Sequence, residues 1–309
     1  MGLGVNEWLE WLAVRPRVGL GTAQLGLPYG VANRSGMPSE ADARALLRCA
    51  RDQGIRYFDT ARAYGQSEER LGRFIRSSTA ADSVRIISKL SGRTDAAGGA
   101  LEQIRDSCVR LGRSPWGMLL HDEQALADWP IRWKSVFAKA QDEGLIRHAG
   151  VSVYSVEAAL RALDLDGLDL IQVSGSLFDR RMLRADFFGK ARQARKAVFV
   201  RSVYLQGLVG PAAADLPAAM AFAREALETL HGFCESNRIS PRLLGLAYAA
   251  RRFESALVVL GAETESQVGD NLRIWQAAQS VPDDLLAAWD SRWPNDEMPL
   301  IDPRKWGMA

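Results

Sequence analysis

Histidine and cysteine are scarce in this 309-residue sequence, at three residues each. Cys49, Cys108 and Cys234 lie far apart and form no C-x-x-C. That argues against a disulfide framework and a metal site, and the thiols are expected to be buried and free, as in a reducing cytoplasm. Long apolar runs are also missing. Stretches such as "ALVVLGA" have strand length, and none approaches the ~20 residues of a membrane span. The opening "MGLGVNEWLEWLAVR" carries two glutamates and no basic n-region, so no secretory signal is expected. Nor is there an excess of charge. A net charge of +2 without a long basic block leaves no footprint for nucleic acid or an anionic membrane. The sequence has no G-x-S-x-G for a hydrolase nucleophile. What remains, 47% apolar and 25% charged, is the composition of an ordinary globular protein, and a small molecule is the default partner.

From residue 17 short apolar runs alternate with longer amphipathic ones. The runs "RVGLGT" (17–22), "IRYFDTA" (55–61), "VRIISKL" (84–90), "WGMLLHD" (116–122), "IRHAGVSVY" (146–154), "LDLIQVSG" (168–175), "AVFVRSVY" (197–204) and "ALVVLGA" (256–262) are expected strands. The segments between them have helix ends. Ser39 and Asp42 form a capping pair closed by Gly54, and Ser240 caps a helix with Pro241 in its first turn. Strands that do not alternate in polarity are buried on both faces, and strand–helix alternation implies parallel pairing. Eight such units close a (β/α)8 TIM barrel, an α/β fold that roughly 250 residues build as one domain. The competitor, an open doubly wound sheet, needs a glycine fingerprint after its first strand. "GLGTAQLG" places Gly19, Gly21 and Gly26 at the wrong spacing and leads into a loop, so a Rossmann turn is rejected. The expectation is a single barrel domain with its core over 17–275 and an extension, 276–309, folded back on it through Trp293 and Trp306.

In such a barrel chemistry collects at the carboxyl ends of the strands. Strand two ends on Asp59, strand three on Lys89, strand four on His121, and Tyr64 follows strand two by a short loop. A strand-end aspartate often caps a turn, a lysine there is usually a solvated stem, and a tyrosine or histidine is often packing. Together the four make one machine. A phenol with a pKa near ~10 is a weak acid at neutral pH, and an adjacent ammonium is expected to lower that value. Asp59 would hold Lys89, His121 would donate to a carbonyl oxygen, and Tyr64 would protonate that oxygen as hydride reaches carbon. Carbonyl reduction fits this set better than hydrolysis.

The stretches "GLGTAQLG", "FDTARAYGQSEERLG", "ISKL", "LLHD", "GLIRHAGVSVYS", "LIQVSGSLFDRR", "VRSVYLQGL" and "LGAETESQVGDNL" resemble the aldo-keto reductase superfamily over roughly residues 17–275. "GLPYGVANRSG", "GVSVYS" and "VRSVYLQG" are similar to a bacterial subgroup associated with sugar and surface-polysaccharide pathways. The resemblance implies the same barrel and a catalytic tetrad of Asp59, Tyr64, Lys89 and His121. It also implies a nicotinamide dinucleotide, NAD(H) or NADP(H), extended across the mouth. Gly21, Thr22 and Asp59 would lie near the nicotinamide, with Ser152 and Gln172 on its carboxamide. Backbone from Ser202 to Leu208, including Leu205 and Gly207, would wrap the pyrophosphate. Gly261, Glu263, Gln267 and Asn271 would hold the adenosine.

Three departures from the family pattern carry information. Val153 stands where asparagine is usual, which removes an amide from the carboxamide site. Arg201 stands where an aromatic usually stacks on the nicotinamide, and it either stacks as a planar guanidinium or turns to an anionic group on the substrate. Gly261 and Gln267 stand where NADP-preferring relatives carry cations, with Glu263 and Glu265 adjacent. NAD(H) is therefore expected to serve at least as well as NADP(H). Tyr29, Arg62, Trp116, Phe178 and Arg180 are the expected mouth residues for an aldehyde, ketone or sugar carbonyl. Two other functions remain open: a cofactor-binding regulatory barrel with little turnover, and a redox-neutral epimerase or eliminase. Substrate, direction and oligomeric state are not legible.

Overall fold

The computed structural model describes residues 2–33, 35–77, 83–92, 97–210, 216, 218–294 and 299–306. Eight parallel strands close into a barrel in sequence order: β1 (Val18–Gly21), β2 (Tyr57–Asp59), β3 (Arg85–Leu90), β4 (Gly117–Leu120), β5 (His148–Val153), β6 (Leu170–Ser174), β7 (Ala197–Arg201) and β8 (Leu257–Gly261). Closure comes from β1 pairing with both β2 and β8, with Gly21 opposite Asp59 on one side and Gly261 on the other. All eight expected strands form, each shorter than its apolar run, because the run continues into the turns that hand the chain to a helix.

Helix α1 (Val5–Ala13) precedes the barrel; α2 (Glu40–Asp52), α3 (Ser67–Arg76), α4 (Ala97–Leu111), α5 (Lys134–Asp142) and α6 (Val156–Asp164) follow the first five strands. Two short helices, α7 (Arg181–Arg184) and α8 (Phe187–Gln193), follow β6; α9 (Arg224–Ser236) and α10 (Pro241–Arg252) follow β7; α11 (Glu265–Ala278) and α12 (Asp283–Arg292) complete the set. The expected caps are in place: Ser39 Oγ accepts from the Asp42 N–H and Ser240 Oγ from the Leu243 N–H, both at 3.2 Å. Each satisfies one of the N–H groups a helix start leaves unpaired.

One apolar layer joins the helices to the outer face of the barrel, and a second fills its interior. α1 was not legible as a helix and proves to be the plug of the barrel floor. Trp11 packs edge-on against Tyr57 and Phe199, with ring centroids 5.4 and 5.1 Å away, and donates its indole N–H to the Ser255 carbonyl at 3.1 Å. At the other end of the chain the extension does fold back: Trp289 of α12 donates to the Leu177 carbonyl at 2.9 Å. Of that extension, residues 295–298 and 307–309 lie outside the described residues. The cysteines are free, but only Cys234 is buried; Cys49 and Cys108 are half-buried on α2 and α4, because each sits at the flank of its helix stripe. No helix among the described residues is long and apolar enough to cross a membrane.

Candidate active site

Side chains alternate between the two faces of a strand, so each inward position is followed by another two residues on. Tyr57, Ile87, Leu119, Leu170, Phe199 and Leu257 all belong to the interior apolar layer. Two residues further along the same strands, or just beyond the strand end, stand Asp59, Lys89, His121, Gln172, Arg201 and Val259. Four of the last residues here can ionise, and they share the parity of the core. The sites are thus the top layer of the barrel interior, where aliphatic packing gives way to polar groups.

The centre is a buried ion pair. Lys89, 1% exposed, donates from Nζ to Asp59 Oδ2 at 2.7 Å, to the Thr60 carbonyl at 2.9 Å and to Tyr64 Oη at 3.5 Å. The other carboxylate oxygen of Asp59 accepts from Gln172 Nε2 at 2.7 Å, and Gln172 Oε1 accepts from Ser152 Oγ at 3.2 Å. Ser152 and Gln172 therefore buttress Asp59 here. Val153 is fully buried in the layer between barrel and helices, so the side chain expected at the carboxamide site points the other way; strand alternation sends it outward when Ser152 points in.

Tyr64 is placed by two glycines in contact. A Cβ on Gly26 would fall 1.8 Å from the Tyr64 carbonyl, and one on Gly65, at φ +52, would fall 2.3 Å from the Gly26 carbonyl. Only glycines let the loop after β1 pass so close beneath the loop that carries the phenol. Below them Ser67 Oγ lies 2.8 Å from Thr22 Oγ1 and 2.9 Å from Thr60 Oγ1, tying both loops to the first turn of α3. His121 meets the Tyr64 ring edge-on at 5.8 Å.

Burial and the charge of Asp59 raise the Tyr64 pKa above that of a free phenol, with Arg201 pulling the other way. The lowering expected from Lys89 does not prevail, because burial is the largest influence on the phenol and the charge of Asp59 acts in the same direction. Lys89 itself is pushed down by burial against the opposing pull of Asp59. Burial, with the charges of Lys89 and Arg201, lowers His121 to about 3, so its ring is neutral at physiological pH. The set is a protonated phenol and a neutral imidazole over a charge-balanced pair.

A cavity of about 430 Å³ opens above this layer. One end is walled by Thr22, Tyr29, Asp59, Tyr64 and Arg201, the middle by Ser202 to Tyr204 with Gln206 and Gly207, and the far end by Gly261, Glu263, Gln267 and Asn271. The middle wall is unusual backbone: Ser202, Leu205, Gln206 and Gly207 all have positive φ, between 47° and 92°. At Gly207 a Cβ would press to 2.8 Å on Ala32. Non-glycine residues held there cost of order 1–3 kcal/mol each and persist where function requires the shape.

Four of the five expected mouth residues lie elsewhere. Trp116 precedes β4 and so sits on the floor, its ring 4.6 Å from His148 and stacked near Trp11. Phe178 is fully buried between Trp289 and Trp293, 5.6 and 5.4 Å away. Arg180 is buried with it, held by Asp290 at 2.9 Å; both carry the extension because the turn after β6 runs under α12. Arg62 leans outward to α4, paired with Asp106 at 2.9 Å and with the Gln103 carbonyl. Only Tyr29 lines the cavity. Sequence reasoning missed Arg242, which lines the far end and donates to Asn271 Oδ1 at 2.8 Å. Its signal was its place in the first turn of α10, since helices that follow strands begin at the barrel mouth. Tyr154 and Arg304 were missed too; no local pattern marks them.

The sequence matches the Aldo/keto reductase family over residues 17–293. The chain belongs to that family. It is 31% identical to a D-threo-aldose 1-dehydrogenase from a Pseudomonas species over 193 residues, 50% of this chain and 58% of that enzyme, so the match spans little more than half of the relative. It is 25% identical to a pyridoxal 4-dehydrogenase from Microbacterium luteolum over 323 aligned positions, 87% of this chain and 91% of that one. In fold it is similar to a glycerol dehydrogenase from Gluconobacter oxydans, with a TM-score of 0.72 at 21% identity, covering 92% and 94% of the two chains. An aldo-keto reductase from Bacillus halodurans follows at 0.71 and 20%, covering 89% and 91%. Membership accounts for a closed barrel with its polar layer at the mouth.

Proposed function

We propose that this protein, a single barrel domain with its C-terminal extension, is a nicotinamide-dependent oxidoreductase that reduces an aldehyde, ketone or sugar carbonyl, with Tyr64 as the proton donor. The observation that carries the reading is the top layer of the barrel, where Asp59 and Tyr64 line one end of the cavity, Lys89 bonds to both, and His121 packs edge-on against the Tyr64 ring. The names of the relatives, an aldose dehydrogenase and a pyridoxal dehydrogenase, support a small carbonyl substrate.

The cavity suits an extended dinucleotide. Its volume lies within the usual range for small-molecule sites, its middle is a left-handed backbone wall of the kind that cradles phosphates, and its far end offers Glu263, Gln267 and Asn271. When bound, the nicotinamide supplies hydride to the carbonyl carbon. The chain does the rest. Tyr64, protonated across neutral pH, gives its proton to the oxygen as negative charge develops there. Neutral His121 fixes the position of that oxygen, and Lys89, held by Asp59, itself braced by Gln172, keeps the phenol in place and presents its N–H to the phenolate oxygen as it forms.

NAD(H) serves at least as well as NADP(H) in this reading. Gln267 accepts from the Glu263 N–H at 2.7 Å and donates back to its carboxylate at 3.5 Å, so a ribose at this wall meets an acceptor. Arg242 is the opposing cation, with one N–H already on Asn271. Tyr64→Phe tests the whole: reduction of 4-nitrobenzaldehyde is expected to fall by about 10²–10⁴ while cofactor binding, read by tryptophan quenching, persists. A variant that keeps its activity refutes the assignment, and a hundredfold tighter wild-type hold on NADPH refutes the cofactor preference.

A further inference from the structure

Arg201 closes β7 and its side chain enters the catalytic end of the cavity, on the same wall as Asp59, Tyr64 and Tyr29. The cations beside it are matched by carboxylates, Lys89 by Asp59 at 2.7 Å and Arg304 by Asp302 at 2.8 Å, while Arg242 at the far end of the cavity donates to Asn271 Oδ1. Among the described residues no carboxylate lies within ion-pair distance of Arg201. Its N–H groups reach three neutral acceptors, Val153 O at 3.3 Å, Ser152 Oγ at 3.4 Å and Ser202 Oγ at 3.5 Å, all beyond the distance of a good N–H to O bond. With Tyr64 and His121 neutral and the Lys89–Asp59 pair balanced, Arg201 leaves this end of the cavity one positive charge in excess.

The guanidinium is also held in place. Its carbon lies 3.8 Å from the centroid of the Tyr154 ring, and that of Arg304 lies 3.5 Å from the same centroid. Two guanidiniums this close to one ring have to occupy opposite faces, so Tyr154 is clamped between them. The clamp is anchored on both sides: the Tyr154 N–H donates to Glu123 Oε2 at 2.8 Å, and Arg304 makes two parallel bonds to Asp302 at 2.9 and 2.8 Å. A planar cation whose face is stacked and whose edge is poorly bonded is prepared for a bidentate oxyanion, the partner its geometry matches best.

We propose that the substrate of this enzyme carries an oxyanion group, a carboxylate or a phosphate, that binds Arg201 while its carbonyl faces Tyr64. The proposal rests on the carbonyl-reductase reading above and narrows it. Two matched pairs test it with the full-length protein and saturating cofactor: 4-carboxybenzaldehyde against 4-nitrobenzaldehyde, and glyceraldehyde 3-phosphate against glyceraldehyde. The wild type is expected to favour the charged member of at least one pair by about tenfold or more in kcat/KM. Arg201→Met, which keeps the length and loses the charge, should abolish that ratio, mostly through KM, and Arg201→Lys should restore part of it. Which pair responds tells carboxylate from phosphate. Equal preference within both pairs, or a ratio that survives Arg201→Met, overturns the proposal. So does a variant whose only defect is weaker cofactor binding, which would assign the charge to the dinucleotide. Calorimetry with 4-(hydroxymethyl)benzoate on the cofactor-loaded wild type and Arg201→Met reads the anion site without turnover. If no aldehyde is reduced, the reductase reading fails, and binding of this compound that depends on Arg201 still decides the site.

Discussion

The buried pair of Lys89 and Asp59 sets a stability test that does not depend on knowing the substrate. Lys89→Met leaves the Asp59 carboxylate, 5% exposed, with the Gln172 amide as its remaining side-chain partner, and orphans the Thr60 carbonyl. Asp59→Asn leaves a buried ammonium facing that carbonyl and the Tyr64 hydroxyl. Removing one member of such a pair costs about 3–5 kcal/mol, because the charge left behind is neither solvated nor matched. The double variant removes both charges and is expected to recover most of that loss, giving a coupling of at least ~2 kcal/mol. Urea unfolding followed by the fluorescence of the nine tryptophans, with linear extrapolation, gives all four corners of the cycle. Two single variants that each cost under about 1 kcal/mol and simply add would show that the pair is solvated, and the electrostatic description of the site would fall with it.

Two further outcomes follow from the geometry. Because the His121 pKa is about 3 in the fold against 6.5 in the free residue, the unfolded chain takes up a proton below pH 6.5 that the folded site refuses. Stability therefore drops as pH falls from 6.5 towards 3, by up to about 1.4 kcal/mol per unit from this group, and His121→Phe should flatten the slope by close to one proton in denaturation series at pH 4–6. An unaltered slope would mean that the ring protonates freely. Arg62→Ala should cost about 1 kcal/mol through its lost pairing with Asp106, a half-exposed partner, and leave KM for any carbonyl substrate where it was; a KM raised tenfold would return Arg62 to the mouth.

Much of the architecture could be read before any coordinates. Eight apolar runs at strand length, separated by capped helical patterns, specify parallel pairing and closure, because each strand has to bury both faces and each helix has only one apolar stripe to cover them. The polar residues at strand ends were legible for the same reason, since an ionisable side chain at the end of an apolar run has few other uses. The mouth residues were not. Trp116 and Phe178 are aromatics next to strand ends, yet one lies before its strand and so on the floor, and the other lies in a turn covered by α12. Proximity in sequence to a strand end does not say which rim or which face a side chain takes.

The sequence alone determines the family, the strand order and the identity of the four groups at the centre of the layer, because these depend on local pattern and on alternation along each strand. The tertiary structure decides what those groups are worth. The direction of the Tyr64 pKa depends on burial and on the charge of Asp59, the freedom of Arg201 depends on no carboxylate among the described residues reaching it, and the clamp on Tyr154 joins residue 201 to residue 304. Each is a sum of charges and contacts over distances of a few ångströms between residues far apart in the chain, and no local pattern encodes such a sum.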